Sequence, residues 1–342
     1  MKIFYKMLFC VVALLTMQSI VLAQIGYSIT DNNRDATNLQ QQYYQFDLST
    51  GQGTLISELR GPAGQTIRRE YEGLAGIGST LYGVAEFDTE NCNTGSDPIT
   101  GLAADLRVFR ANGTYPLANG VTSPIGPQIG ELCFPAGFTE AAAAYNPIDG
   151  FIYAIASDDL LPTTAPRSRI YRVSPTTGLA TQIGDAGGIT LTTGSGGDQN
   201  PYFDGLAILP DGRAFGTEAR FTNNPTQSTD PNVADNGGMY RIFLTGPSAG
   251  QATFVKYLLP TDVNRDTGLA NNGNTIYLLL EDARVWTTTA DAGTPVVPAV
   301  YSASNGTNTL VTPGCLRPIS FPGQFCGDFE GFDIPNNGNG LR

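Results

Sequence analysis

Acidic residues recur at one position of a pattern that the chain repeats. Each repeat has an acidic or polar residue, a small residue and an apolar stretch, followed by a turn and a second apolar stretch. The repeats begin at Glu72, Glu140, Asp204, Thr267 and Glu330. Carboxylates gathered close together repel one another, and they then bind either protons or a cation. The pattern therefore indicates cation binding or acid–base chemistry, provided that the fold brings the repeats together.

The spacing of the repeats predicts how they are brought together. Successive repeats start 68, 64, 63 and 63 residues apart. The interval from Glu330 to the end of the chain, continued from Gln24 to Glu72, is 61 residues, which is nearly the same period. The fifth repeat breaks off half-way, and GYSITD, from Gly26, matches its missing half. A repeat that closes on itself across the chain termini is typical of a ring of units.

Each repeat continues with two more β-prone stretches that end at glycine-containing turns. Examples are YYQFDLSTG from Tyr43 and RIYRVSPTTG from Arg169. Four strands per unit of about 60 residues are typical of a β-propeller blade. The sequence therefore predicts an all-β fold, a five-bladed β-propeller with four-stranded blades, in which the C-terminal strand joins three N-terminal strands and closes the ring. A β-sandwich would need no constant period, and a solenoid would need no match across the termini.

Two local features take their meaning from this fold. The segment EAAAAY from Glu140 has helical propensity, but its place in the repeat predicts an inner strand. Aromatic residues recur on the second strands and are predicted to pack between blades. They are Tyr27, Tyr82, Tyr153, Phe215 and Tyr277.

The fold predicts where the acidic residues meet. The inner strand and its neighbour are antiparallel, so the start of one lies beside the end of the other, at one mouth of the central channel. Because Ca²⁺ takes six to eight oxygen ligands in flexible geometry, we predict a calcium site at this mouth. Its candidate ligands are Asp31, Glu72, Glu86, Glu140, Asp204, Asp266, Glu281 and Glu330. The alternative role is structural, with the acids capping inner strands by accepting backbone N–H bonds.

The composition excludes several kinds of chemistry. The sequence has no histidine, which excludes a Ser-His-Asp triad, a Cys–His pair and any imidazole metal ligand. The formal net charge of −12 makes nucleic acid and anionic lipid poor partners. No apolar segment is long enough for a good membrane span, so we expect no membrane-spanning segment.

The first 23 residues have the features of a signal peptide. Two lysines flank the start of the segment, an apolar run extends from Met7 to Met17, and Val21 and Ala23 fit a cleavage site before Gln24. We therefore expect residues 1–23 to be removed and residues 24–342 to form a single propeller domain. The mature protein would be secreted, extracellular or periplasmic, and acidic.

Four cysteines follow that segment. An even number in an oxidising compartment favours two disulfides. Among the three possible pairings we predict Cys92–Cys133 and Cys315–Cys326, because each pair is nearest in sequence. The alternative is a four-thiolate zinc site, which would require tight CxxC pairs that the sequence lacks.

Some repeats resemble known propellers. RIYRVSPTTGLATQIGD from Arg169 and DGLAILPDGRAFGTEAR from Asp204 resemble repeats of secreted bacterial-type propellers of uncharacterised function. EGLAGIGSTLYGV and DFEGFDI resemble the repeat starts of gluconolactonase-like and phytase-esterase-like propellers. The resemblance implies a metal-centred pocket at the channel mouth. The residues in matching positions are Glu72, Glu140, Asp204 and Glu330.

These features lead to two functional hypotheses. The first is a secreted, non-catalytic module that binds an extracellular ligand (a glycan or a protein surface) and is stabilised by Ca²⁺. The alternative is a calcium-dependent secreted hydrolase that uses carboxylates at the same mouth. The missing histidine, the scarce lysine and the single Trp286 favour the first, without deciding whether the protein is an enzyme. An Arg or Lys facing the acids would favour the hydrolase.

Overall fold

The computed structural model describes the chain in segments. They are residues 25–30, 42–48, 51–58, 71–78, 80–85, 105–110, 115–116, 122–123, 125–131, 140–157, 165–185, 187–192, 200–218, 238–257, 267–280, 285–292, 297–298, 317–318 and 329–335. The regular structure in these segments is β-strand throughout, which confirms the predicted all-β fold. None of the segments contains a helix long and apolar enough to cross a membrane. The predicted signal peptide and the four cysteines after it lie outside the described residues.

Twenty-four strands are present in the described segments. The first twelve are β1 (Ile25–Thr30), β2 (Gln42–Asp47), β3 (Gln52–Glu58), β4 (Tyr71–Ile77), β5 (Thr80–Ala85), β6 (Asp105–Arg110), β7 (Tyr115–Pro116), β8 (Thr122–Ser123), β9 (Ile125–Glu131), β10 (Glu140–Asn146), β11 (Phe151–Ser157) and β12 (Ser168–Val173). The other twelve are β13 (Ala180–Ile183), β14 (Thr190–Leu191), β15 (Phe203–Ile208), β16 (Ala214–Glu218), β17 (Gly238–Ile242), β18 (Gln251–Tyr257), β19 (Thr267–Asn272), β20 (Thr275–Leu280), β21 (Val285–Thr289), β22 (Val297–Pro298), β23 (Arg317–Pro318) and β24 (Phe329–Asp333).

Five large sheets and one two-stranded sheet, β7-β8, contain these strands. Sheet I has the order β4-β5-β6-β9, sheet II β10-β11-β12-β13, and sheet III β15-β16-β17-β18-β14. Sheet IV has the order β19-β20-β21-β22, and sheet V β24-β1-β2-β3-β23. Each large sheet therefore contains four antiparallel strands, to which sheets III and V add a short parallel edge strand.

The first strands of the five large sheets contact one another in succession. β4 contacts β10, β10 contacts β15, and β15 contacts β19. β19 then contacts β24, and β24 contacts β4. This closed set of inner strands, with the other strands outside it, is a β-propeller arrangement.

Apolar clusters hold neighbouring sheets together, with one cluster between each adjacent pair. The aromatic residues predicted to pack between blades lie in these clusters or against them. Tyr82 packs between sheets I and II, Tyr153 between II and III, Phe215 between III and IV, Tyr277 between IV and V, and Tyr27 between V and I. Because burial of one large apolar side chain contributes about 1.5–3 kcal/mol, these clusters stabilise the arrangement of the sheets.

The predicted pairing between the two ends of the chain is present. β24 lies antiparallel to β1, with Tyr27 opposite Asp333 and Ile29 opposite Glu330, and a β-bulge follows Ser28. Sheet V thus combines the C-terminal strand with three N-terminal strands, as predicted. The segment from Glu140 is the inner strand β10, so its place in the repeat outweighs its helical propensity.

Small residues near the start of the inner strands allow neighbouring inner strands to approach closely. A Cβ atom on Gly73 would lie 2.9 Å from the Cβ of Ala143, and one on Gly268 would lie 2.8 Å from the Cβ of Phe332. A Cβ atom on Gly331 would collide with the carbonyl oxygen of Glu72. The small residue of the repeat is therefore explained by packing around the centre.

A buried lysine links sheets III and IV. The Nζ atom of Lys256, on β18, donates to the Oγ1 of Thr288 at 2.6 Å. It also donates to the backbone carbonyls of Thr289 at 2.7 Å and Asp291 at 2.9 Å. Burial lowers the pKa of Lys256, and the nearby Asp291 carboxylate opposes that change. The three hydrogen bonds satisfy the ammonium group and fix one sheet against the next.

Candidate functional site

The structure partly describes the predicted acidic mouth, where the inner strands begin. Glu140 lies opposite Ser157, the register that the sequence predicts. The backbone of Glu140 and Glu330 is described, but their side chains are not. Four candidate ligands lie outside the described residues: Asp31, Glu86, Asp266 and Glu281. Glu72 and Asp204 are therefore the predicted ligands whose side chains can be placed.

Glu72 has a structural contact of the kind that the capping alternative requires. Its side chain is buried, and its Oε2 accepts the backbone N–H of Ala141 at 2.7 Å. Ala141 belongs to β10, so the carboxylate joins the inner strands of sheets I and II. A charge-assisted hydrogen bond of this kind contributes about 1.5–3 kcal/mol.

A buried ion pair lies at the same end of the inner strands. The Nη2 atom of Arg167 is 3.5 Å from Oε1 of Glu218, and the hydroxyl of Tyr240 donates to Oε2 of Glu218 at 2.7 Å. The Nε atom of Arg167 donates to the carbonyl of Asn200 at 3.0 Å. An arginine therefore faces an acid, which is the feature that would favour the hydrolase hypothesis. The two side chains are only 7% and 0% exposed, however, so this pair is enclosed between sheets II and III.

Asp204 does not complete a metal-ligand cluster with the other placed acids. It lies in the bulge between the pairs Phe203–Glu218 and Gly205–Thr217, and its Oδ1 accepts the hydroxyl of Thr217 at 3.4 Å. Within the described segments, no group of three or more Asp, Glu or Cys side chains has metal-binding geometry.

A cavity of about 380 Å³ lies toward the opposite end of the inner strands. All five inner strands contribute to its wall, mainly through residues near their C-terminal ends. The lining residues are Gly76, Ala144, Tyr145, Pro147, Leu206, Ala207, Ile208, Pro210, Leu269, Ala270, Asn271, Asn272, Gly273, Asp333 and Ile334. Its volume is within the range of small-molecule sites, about 300–1,000 Å³. The sequence did not predict a site at this end of the channel.

Asp333 is the carboxylic acid among the described residues of the cavity wall. Its Oδ2 is shielded from solvent and has no hydrogen-bond partner among the described residues. That oxygen lies against Gly76, where a Cβ atom would be 2.5 Å from it. Gly76 is therefore the residue on β4 that leaves room for the carboxyl group of β24.

The surroundings of Asp333 favour its neutral form. Burial raises its pKa from 3.8 to about 7, and backbone hydrogen bonds from Ile334 and Gly76 offset part of the rise. Two tyrosines of sheet V face this region. Burial raises the pKa of Tyr27 to about 12, and burial together with the Asp333 charge raises that of Tyr43 well above its usual value. The tyrosines are therefore neutral where Asp333 titrates, and Asp333 can exchange a proton near neutral pH.

The repeat contains a signal that would have identified Asp333. Asp333 is the fourth residue of its repeat, and the other four repeats have alanine at that position: Ala75, Ala143, Ala207 and Ala270. A carboxyl group in a column of small apolar residues is a buried polar outlier.

Comparison with known proteins identifies similar solved structures. No protein-family model matches the chain, and no curated protein matches it significantly. Among solved structures, a proposed 6-phosphogluconolactonase from Bacteroides uniformis is 14% identical, with a TM-score of 0.37 over 82% of this chain and 68% of its own. An exo-β-1,3-galactanase from Phanerochaete chrysosporium is 12% identical, with a TM-score of 0.42 over 70% of this chain and 51% of its own. The corresponding enzyme from Clostridium thermocellum is 12% identical, with a TM-score of 0.41 over 67% and 47%.

These findings correct the first functional hypothesis. The sequence favoured a non-catalytic binding module, but the similar solved structures carry the names of hydrolytic enzymes, so that interpretation is wrong. The physical reason lies in the residues that were weighed. Missing histidine and scarce lysine argue against triads and anion sites, but they do not bear on a single buried carboxyl group such as Asp333.

Proposed function

We propose that the protein is a hydrolase whose proton donor is Asp333, acting in the cavity at the C-terminal ends of the inner strands. The observation that carries the proposal is a carboxyl group in the wall of a cavity large enough for a substrate. One oxygen of that carboxyl group is shielded from solvent and unpartnered among the described residues. Proton-transfer groups work best when their pKa is close to the working pH, and Asp333 meets that condition.

The proposed reaction uses the neutral form of Asp333. Water forms a bond to the electrophilic carbon of the substrate, and the bond from that carbon to the leaving oxygen breaks. Asp333 gives its proton to the leaving oxygen, and the proton that the attacking water loses restores the neutral acid. Proton transfer of this kind contributes about 10²–10⁴-fold to a rate. The substrates in the names of the similar structures are not carried over, because that likeness concerns the general fold.

The test is hydrolysis as a function of pH. Purified protein is assayed between pH 5 and 9 with phenyl esters and phenyl glycosides, whose phenol is a poor enough leaving group to need a proton. We expect activity to fall as pH rises through about 7, where Asp333 loses its proton. Asp333→Asn should lower kcat by at least about 100-fold. The matched control is Asp185→Asn, at an exposed aspartate in the turn after β13, which should keep full activity. An Asp333→Asn protein as active as the control would refute the proposal.

Other features stand as separate proposals. We propose that the five large sheets are the five blades of one ring, which an experimental density map would check by their number. We also propose that the protein is exported, that Cys92–Cys133 and Cys315–Cys326 are disulfides, and that the acidic mouth binds Ca²⁺. The intact mass under non-reducing conditions checks export and disulfide formation, since it should fit a chain that starts at Gln24 and has no free thiols. A longer chain or a free thiol would contradict them.

A further inference from the structure

The charge of the cavity wall limits what it can bind. Among the described lining residues, Asp333 and Tyr145 are the titratable groups, and neither Lys nor Arg occurs. An anionic substrate would have to leave water without a cation to offset its charge. It would also oppose ionisation of Asp333 and be repelled by the ionised form. A phosphorylated or carboxylate-bearing substrate is therefore disfavoured, and an uncharged one fits.

The number of polar groups narrows the reaction. Glycoside hydrolysis ordinarily uses two carboxyl groups that flank the bond, and the described wall supplies one. Besides Asp333 and Tyr145, the polar side chains of the described wall are Asn271 and Asn272. The apolar residues are more numerous and include Leu206, Ile208 and Leu269. Such a wall offers few partners for the several hydroxyls of a sugar. A carboxylic ester needs only a proton or hydrogen-bond donor at its oxygens and a water molecule at its carbon.

The entrance of the cavity has an apolar rim. Pro147 and Pro210 line the cavity and are exposed, and they belong to the turns after β10 and β15. Ile148 does not line the cavity itself, but it follows Pro147 in the same turn and is 66% exposed. Its side chain packs at Gly212, where a Cβ atom would be 2.9 Å from Cγ1 of Ile148. An apolar part of a substrate would leave water by lying on this rim.

We infer that the substrate of this cavity is an uncharged carboxylic ester with an apolar portion that extends over the rim of Pro147, Ile148 and Pro210. The inference rests on the proposed hydrolase function and adds the substrate class to it. Asp333 donates its proton to the leaving oxygen of the ester, and the apolar wall contacts the reacting group. Ile148 contacts the apolar portion of the ester outside the cavity.

Four phenyl compounds with the same leaving group test the substrate class. They are phenyl octanoate, phenyl acetate, phenyl phosphate and phenyl β-galactoside, followed by release of phenol. We expect kcat/KM for the octanoate to exceed that for the acetate, and no turnover of the phosphate or the galactoside. Ile148→Ser should lower the octanoate-to-acetate ratio of kcat/KM by about tenfold, the effect of losing one partly buried apolar side chain. The matched control is Leu179→Ser, at a leucine 69% exposed in the turn between β12 and β13, which should leave that ratio as in the unmodified protein.

A binding measurement separates the substrate class from catalysis. 2-Decanone, a neutral ketone that cannot be hydrolysed, is titrated calorimetrically and compared with the decanoate anion. We expect the ketone to bind more tightly than decanoate. Ile148→Ser should weaken binding of the ketone, whereas Leu179→Ser should leave it unchanged. Turnover of the galactoside that depends on Asp333, without ester turnover or ketone binding, would overturn the ester class and leave the hydrolase function intact. Ketone binding with these dependences, without turnover of any ester or glycoside, would overturn the hydrolase function and retain the ligand class.

Discussion

Replacing Asp333 by asparagine should remove a pH dependence from the stability of the protein. The folded chain holds the proton of Asp333 more tightly than the unfolded chain, because burial raises the pKa from 3.8 to about 7. When the folded state binds more protons than the unfolded state, the free energy of unfolding decreases as pH rises. The stabilisation is therefore complete below about pH 4 and is lost progressively until the pH exceeds about 7.

The magnitude follows from the size of the shift. A rise of about three pKa units corresponds to about 4 kcal/mol, at about 1.36 kcal/mol for each unit. The part that falls between pH 5 and 8 is about 2–3 kcal/mol. That is a large fraction of a total stability of about 5–15 kcal/mol.

Urea unfolding at pH 5, 6, 7 and 8 measures this effect. The unmodified protein and Asp185→Asn should lose about 2–3 kcal/mol across the series, because both retain Asp333. Asp333→Asn should show little change, since its amide does not titrate. A parallel loss in all three proteins would show that Asp333 ionises normally in the fold. The reasoning from its burial beside Gly76 would then be refuted.

Two further predictions concern the inner strands. Gly331→Ala should lower the free energy of unfolding by about 1–3 kcal/mol, because its Cβ would collide with the carbonyl of Glu72, whereas Gly187→Ala, at a site with open space, should change it little. Equal urea midpoints for these two variants would contradict the close approach of β24 and β4. Ca²⁺ should raise the melting temperature of the unmodified protein, and Glu72→Gln should abolish that rise while its amide oxygen still accepts the Ala141 N–H. A melting temperature that is indifferent to Ca²⁺ from micromolar to millimolar concentrations would end the calcium proposal.

The strands and their order could be predicted because the repeat constrains them at several levels. The helical propensity of the alanine run in β10 was overruled by its register in the repeat. The antiparallel pairing of β24 with β1 followed from the match between the two chain ends. The aromatic residues of the second strands fell between sheets because period-two alternation places every second side chain on the same face.

The candidate site could not be derived in the same way. The pKa of Asp333 depends on the absence of a side chain at Gly76, which is more than 250 residues away in sequence and adjacent only across the ring. Among the acids at the strand starts, the structure describes the side chains of Glu72 and Asp204. The Glu72 carboxylate accepts a backbone N–H, and Arg167 is buried against Glu218. The charge of these side chains follows directly from the sequence, whereas their solvent exposure depends on how the sheets pack together.

The buried ammonium group of Lys256 makes the contact between sheets III and IV open to chemical observation. Apart from Lys2 and Lys6, it is the only lysine in the sequence. In the folded protein its Nζ is engaged with Thr288 and two carbonyls, so an acylating reagent reaches it only after those two sheets separate. A single mass increment at this residue would therefore report how often one defined seam of the ring opens. Acylation there would also remove the charge and two of its hydrogen-bond donors, which would trap the seam in its opened state.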